Sequence, residues 1–262
     1  MSCKLIAELS MNHGGDLDLA KKMIVSAKEN GADYVKFQTW KYKNLKPGPW
    51  DTDGRRELYK QTELTLEKHI ELKEFCDNTE IKFLTSCFSI DDIDFIRSLT
   101  DEVKIPSTEC RNIYLVNKCI EIFNQVYISV GCSLFEEYES YIPYGNVCLL
   151  HCVSTYPCLP QNVNLSKLLN LKMRTQRFGY SGHMQGIWDA IAAISLGSSV
   201  VEKHFTIDQN LPFPDNRFAI LPNELRDIRE FIDTFDLMSR DCGLGYQSIE
   251  NKVRELYSGR WA

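Results

Sequence analysis

The stretch Glu202, Lys203, His204, Phe205 and Thr206 closes an apolar, strand-like run, SSVVEKHF, with a carboxylate and an imidazole two residues apart. Residues i and i+2 of a strand share one face, so Glu202 and His204 point the same way. A second imidazole, His183, ends the preceding strand-like run, RFGYSGH. Two neighbouring strands that each deliver one imidazole to a common point make an open, catalytic type of divalent-metal site. A lone strand-end histidine is more often a hydrogen-bonded rim residue, and the equivalent placement of this pair is what points to ligation. His13, His69 and His151 do not share it: His69 falls in a helical pattern and is expected at the surface, while His13 and His151 read as structural.

Placing such residues requires regular elements. Short apolar runs, KLIAEL, YVKFQ, KFLTS, EVKIP, QVYIS, VCLLH, RFGYS and VVEKHF, alternate with longer amphipathic stretches. In LDLAKKMIVSAKENG, Leu19, Met23, Ile24 and Ala27 recur at helical spacing and Gly31 supplies a C-terminal stop. The other helical patterns are LEKHIELKEFCDN, IDDIDFIRSL, LVNKCIEIF, LSKLLNLKM, IWDAIAAISLG and ELRDIREFIDTFDLM. Strict alternation implies a parallel sheet, and eight units over the length of this chain predict an α/β fold of the (β/α)8 TIM-barrel type. An open doubly wound sheet is the runner-up, but SMNHGGD after the first strand lacks the glycine spacing of its phosphate turn. The insertion WKYKNLKPGPWDTDGRRELYKQTEL after the second strand is expected as an irregular loop over the barrel mouth.

Active sites of such barrels are built at the C-terminal strand ends, and polar residues gather there on all eight strands. They are Glu8 with Asn12 and His13; Lys36 and Gln38; Ser86; Lys104, Ser107 and Glu109; Ser129; His151, Ser154 and Tyr156; Ser181 and His183; and Glu202 and His204. Charges in a barrel interior are costly unless paired, metal-bound or solvated by a ligand. Lysines, serine hydroxyls and a metal together suit a phosphate and a carboxylate.

The 262 residues, 44% of them hydrophobic, suit one domain with a continuous core, and a net charge of −6 argues against nucleic acid or an anionic membrane surface as partner. An anionic substrate therefore needs a local positive pocket. No stretch approaches a membrane span, and the N-terminal apolar run is too short for a signal peptide. The ten cysteines form no CxxC pair and read as reduced core residues of a cytoplasmic protein.

The ordered segments AELSMNHGGDLDLAKKMI, GADYVKFQT, LTSCF, KIPSTECRN, ISVGC, LLHCVSTYPC, GYSGH and VVEKHFTID, followed by PDN, resemble the sialic acid synthases, the group that also makes pseudaminic and legionaminic acids. The resemblance runs to about residue 240. It implies condensation of phosphoenolpyruvate with the open-chain aldehyde of a 2-acetamido hexose, giving a 2-keto-3-deoxy (nonulosonic) acid and phosphate. Carried over by position, Lys36, Lys104, Ser107, Ser129 and Ser181 would hold phosphoenolpyruvate. His183 and His204 would bind a divalent metal, Mn2+ with Mg2+ or Co2+ as alternatives. Glu8, Gln38, Glu109, Tyr156, Glu202 and Asp215 would face the sugar or the reacting carbons, with Glu8 and Glu202 the carboxylates nearest the chemistry and Ser154 in the strand-six motif.

Four departures stand out. The serine-aspartate-histidine pattern usual after strand seven reads Ser181, Gly182, His183, and an asparagine usual in the strand-six motif is Ser154. The glycine-proline-aspartate-histidine loop reads Pro212, Phe213, Pro214, Asp215, Asn216. The last residues, 240–262, read as a tail where relatives carry a small antifreeze-like domain. Residues 1–262 are therefore expected as a single synthase barrel, completed by the insertion with Lys41, Arg55 and Arg56, by a second copy in a homodimer, or by a separate chain. The altered rim points away from plain N-acetylmannosamine towards a deoxy or diacetamido sugar. Two other readings stay open: a phosphoenolpyruvate synthase for a seven- or eight-carbon acid, drawing on Arg55, Arg56, Arg111 or Arg217, and an impaired barrel serving as a binding or regulatory subunit.

Overall fold

The computed structural model describes residues 3–261, so Met1, Ser2 and Ala262 of the expected domain lie outside the described residues. Eight parallel strands close into a barrel in chain order: β1 (Lys4–Glu8), β2 (Tyr34–Thr39), β3 (Lys82–Cys87), β4 (Glu102–Ile105), β5 (Gln125–Ser129), β6 (Val147–His151), β7 (Phe178–Gly182) and β8 (Val200–His204). The seam pairs β1 with β8, Lys4 opposite Val200 and Glu8 opposite His204.

Around the barrel run α1 (Leu17–Glu29), α2 (Arg55–Thr62), α3 (Leu66–Asn78), α4 (Ile93–Leu99), α5 (Ile113–Ile122), α6 (Ser166–Lys172), α7 (Trp188–Ser195) and α8 (Pro222–Met238), followed by a short α9 (Asn251–Tyr257). Helix α1 shows why these segments are helical. Asp16 caps it by accepting from the amides of Asp18 and Leu19, Ala20, Met23, Ile24 and Ala27 form its buried face, and Gly31 at φ +87° turns the chain away.

Two departures from strict alternation appear. Between β5 and β6 the chain forms only 3-10 turns, Phe135–Glu137 and Glu139–Tyr141. Tyr138 and Tyr141 are buried in that stretch, Tyr141 donating to the Cys110 carbonyl at 3.1 Å; Pro143 and Gly145 close by do not favour a longer helix. The insertion after β2 is also more ordered than expected. It holds α2, begun at Gly54 in the left-handed region, and two 3-10 turns.

Alternation within each strand sorts the side chains. Leu5, Ala7, Val35, Phe37, Val103, Ile105, Phe178, Tyr180 and Val201 pack outward against the helices in the main core. Inside the barrel, Ile6, Tyr34, Leu84, Tyr127, Cys148, Leu150 and Val200 form a second apolar cluster. Below it Glu102 accepts from Tyr34, Tyr127 and Lys82, pairing the polar groups at the N-terminal end. Above it lies the polar layer.

Candidate active site

The inward positions one pleat above the apolar cluster are Glu8, Lys36, Ser86, Lys104, Ser129, Ser181 and Glu202, each buried. Lys36 Nζ lies 2.8 Å from Glu8 Oε2 and 3.2 Å from Glu202 Oε1, and donates to Ser86 Oγ at 3.0 Å. Lys104 Nζ lies 3.4 Å from Glu202 Oε1, which also accepts from Ser181 Oγ at 2.9 Å. One carboxylate oxygen thus gathers two ammonium groups and a hydroxyl, while Glu202 Oε2 and Ser129 Oγ have no hydrogen-bond partner among the described residues. Gln38 Nε2 donates to Glu8 Oε1 at 3.2 Å.

The two carboxylates are driven apart in acidity. Burial pushes Glu8 above the usual carboxylate range, outweighing Lys36 beside it. Burial would raise Glu202 too, but Lys104 and Lys36 hold it down at about 2. Burial lowers Lys104, whereas Lys36, buried between Glu202 and Glu8, is raised. A pair of acids with opposed shifts beside two lysines is the arrangement of acid–base chemistry on an anionic substrate.

At the rim the two imidazoles lie with ring centroids 5.4 Å apart. His183 Nδ1 is 2.7 Å from the Val153 carbonyl, so it donates there and its Nε2 carries the lone pair. Burial, then His204, lower His183 to about 3, keeping it neutral. Asp215, brought over by the loop after β8, sits 3.4 Å from His204 Nδ1 and accepts from Ser10 Oγ at 2.6 Å. Tyr156 packs 4.2 Å from the His183 ring and Phe218 5.0 Å from that of His204, centroid to centroid.

Among the described residues no group of three or more histidine, cysteine, aspartate or glutamate side chains could hold a metal. What the chain offers is two imidazoles, one held neutral and turned by a backbone carbonyl. That donor set fits an open site of low protein ligand count, completed by oxygen donors from substrate or water.

The polar layer and rim open into one cavity of about 790 Å³. Glu8, Lys36, Gln38, Lys104, Ser107, Glu109, Ser129, Tyr156, Ser181, His183, Glu202, His204 and Asp215 all line it. Ser154 stands behind the lining, its hydroxyl 2.8 Å from that of Ser107. Burial raises Glu109, which accepts from Asn112 Nδ2 at 3.4 Å.

Other expectations are corrected. His69 is fully buried, not at the surface, with Nε2 3.0 Å from Thr39 Oγ1 and Nδ1 3.0 Å from the Thr65 carbonyl. Its helix packs inward on the side that carries it. His151 shares its outward face with Leu149 and bonds the Val163 carbonyl at 2.8 Å, so it leaves the strand-end ring. Lys41 does line the cavity but is paired with Asp92. Arg55 and Arg56 pair with Asp53 and Asp51, Arg111 lies 3.8 Å from Glu137, and none of these nor Arg217 lines the cavity.

Sequence reasoning missed Ser10, Cys152, Phe218 and an aromatic outer wall of Trp40, Tyr42, Trp50, Tyr59 and Phe88. The wall had a signal: four of its five rings belong to the insertion.

Comparison with known proteins gives consistent results. Residues 23–241 match the model of the NeuB family. An N,N'-diacetyllegionaminic acid synthase of Legionella pneumophila is 36% identical over 255 residues, covering 88% of this chain and 72% of the relative. A pseudaminic acid synthase of Helicobacter pylori is 33% identical, covering 87% of this chain and 73% of that protein. Among solved structures, an N-acetylneuraminic acid (sialic acid) synthetase from Leptospira borgpetersenii, in complex with citrate, superposes with a TM-score of 0.88 at 28% identity, over 97% of this chain and 91% of that one.

Proposed function

The chain belongs to the NeuB family, and on that premise we propose that it condenses phosphoenolpyruvate with the open-chain form of a 2-acetamido hexose, or a deoxy or diacetamido relative, releasing phosphate and a nonulosonic acid. The observation that carries this reading is the layer in which Lys36 and Lys104 share Glu202 at the bottom of the cavity. An arriving trianion takes over the role of counter-charge to both lysines, and the Ser107, Ser129 and Ser181 hydroxyls donate to its oxygens.

The substrate's C3 then faces the rim, where the aldehyde must sit beside His183 and His204. A divalent cation, Mn2+ with Mg2+ or Co2+ as alternatives, held on these imidazoles would polarise the aldehyde oxygen. Attack by C3 forms the new C–C bond and moves the carbonyl electron pair onto the aldehyde oxygen, which becomes a hydroxyl by taking the proton that water later releases. It leaves positive charge at C2. Glu202, ionised at about 2, is the carboxylate that steadies that charge. Water adds at C2 and loses a proton to Glu8, whose raised pKa makes it the better base of the two. Collapse of the tetrahedral intermediate breaks the C2–O bond to phosphate. Tyr156 and Phe218 pack against the imidazoles, and Gln38, Glu109 and Asp215 face the sugar.

The acceptor end of the cavity supports the choice of sugar. Its wall of Trp40, Tyr42, Leu45, Trp50, Phe88 and Ile90 suits methyl and acetamido groups better than a second phosphate. None of Arg55, Arg56, Arg111 and Arg217 lines the cavity, which removes the residues on which the seven- or eight-carbon alternative drew. In a phosphate-release assay with Mn2+ across a panel of aldoses, an unphosphorylated acetamido sugar should react best, and chelator or His204→Ala should remove most turnover. Reaction with phosphorylated aldoses alone would overturn the reading. Absence of turnover with every aldose would leave the barrel as a binding subunit.

A further inference from the structure

Directly behind the imidazole pair, on the outward face of β7 and β8, lies a second charged group that the reaction does not touch. Lys203, 1% exposed, donates to both oxygens of the Asp189 carboxylate at 2.9 and 3.0 Å. Asp189 stands in the first turn of α7 and also accepts from the Tyr180 hydroxyl at 2.9 Å. The remaining Lys203 proton goes to the Met184 carbonyl at 2.6 Å, one residue beyond His183. The loop that carries the imidazole is therefore tied to β8 on one side by Lys203 and to Val153 on the other by its own Nδ1.

Gly182 explains how this group fits. A Cβ at position 182 would lie 2.4 Å from Asp189 Oδ2, 2.6 Å from Tyr180 Cε1 and 3.0 Å from Lys203 Cδ. The backbone at Gly182 is ordinary strand, without a positive φ, so what the glycine provides is room. The space that a side chain on the strand would fill is occupied by a carboxylate arriving from the helix. Position 182 is also where the sequence departs from serine-aspartate-histidine.

We infer that Asp189 is the positioning residue for His183: its carboxylate, reaching Lys203 from α7, does the work that a carboxylate at position 182 would do from the strand, so that only one of the two positions can be acidic. The ion pair fixes the Lys203 ammonium, the ammonium fixes the Met184 carbonyl, and that carbonyl fixes the turn from which His183 reaches the rim. The inference rests on the reading of His183 as a metal-site residue only for its functional consequence; the exchange between positions 182 and 189 is a matter of space and charge.

Three variants test it: Asp189→Ala, Gly182→Asp, and the two combined. Each is read by thermal melting, by 15N NMR of the labelled His183 ring, and by titration with Mn2+. Asp189→Ala should replace the single Nδ1-protonated ring signal by an averaged one and weaken Mn2+ binding roughly tenfold to a hundredfold, the usual range for groups that orient a ligand. Gly182→Asp alone should melt well below the parent, because two carboxylates then compete for one lysine.

The double variant should regain the ring signal, the Mn2+ affinity and most of the melting temperature of the parent, Tyr180 swinging aside once its carboxylate partner has moved. An unchanged His183 signal in Asp189→Ala would overturn the inference, as would a double variant no better than the worse single one. If the ring signal follows this pattern but the parent binds no Mn2+ and releases no phosphate, the positioning stands and the proposed reaction falls.

Discussion

Residue types at the strand ends carried most of what could be read about chemistry, because charge in a barrel interior has few innocent explanations. Lys36, Lys104, Glu202 and the histidine pair do converge on one cavity. The opposed acidities of Glu8 and Glu202 were not legible, since they follow from which oxygens the two lysines reach. They lead to a specific expectation. Glu8→Gln keeps the size of the side chain but removes the base and one of its two acceptor oxygens, so kcat should fall by roughly 10²- to 10⁴-fold, more than any change in KM for phosphoenolpyruvate. A loss confined to KM, measured by steady-state phosphate release, would move the proton transfer elsewhere. His69 shows the limit of residue-level reading: a histidine in a polar helix looks exposed until the partner face is known.

At the scale of elements, periodicity placed each strand to within about a residue and α3 over its full span, since burial on one face repeats at a fixed interval. It failed where burial came from side chains filling space without a helix, as Tyr138 and Tyr141 do between β5 and β6. It also failed in the insertion, where a two-turn helix stands on little burial of its own, Thr62 being its one buried residue. Turn chemistry was more dependable. Gly31, at φ +87°, lies with its added Cβ position 2.5 Å from Arg229 Cγ, and Arg229 donates to the Gly31 carbonyl at 2.8 Å and to Asp33 at 2.6 Å. Gly31→Ala should therefore lower stability by about 1–2 kcal/mol for the left-handed backbone alone, with more from displacing Arg229. An unchanged urea midpoint would contradict that account.

For the whole molecule, buried neutral histidines couple stability to pH. Burial lowers His13 and His151 each to about 4, from an ordinary histidine value of 6.5. With the folded pKa below the unfolded one, their contribution is complete above about pH 6.5 and is lost as pH falls towards about 4. Urea midpoints should decline across that window, and less steeply in a His13→Gln, His151→Gln variant; a flat profile would refute the assignment. Glu202, held at about 2, adds a second decline below its unfolded value of 4.5. No helix among the described residues is long and apolar enough to cross a membrane, and their cysteines are all free. By itself the sequence determined the barrel and the types of its strand-end residues, because strand and helix periods and inward-facing charge are local, one-dimensional signals. Only the tertiary structure decided that the chain's answer to Gly182 is Asp189 on the next helix, that Glu202 serves two lysines, and that the insertion's aromatic rings wall the cavity. Those are distances between residues far apart in the chain, set by how the barrel closes and which faces its helices bury.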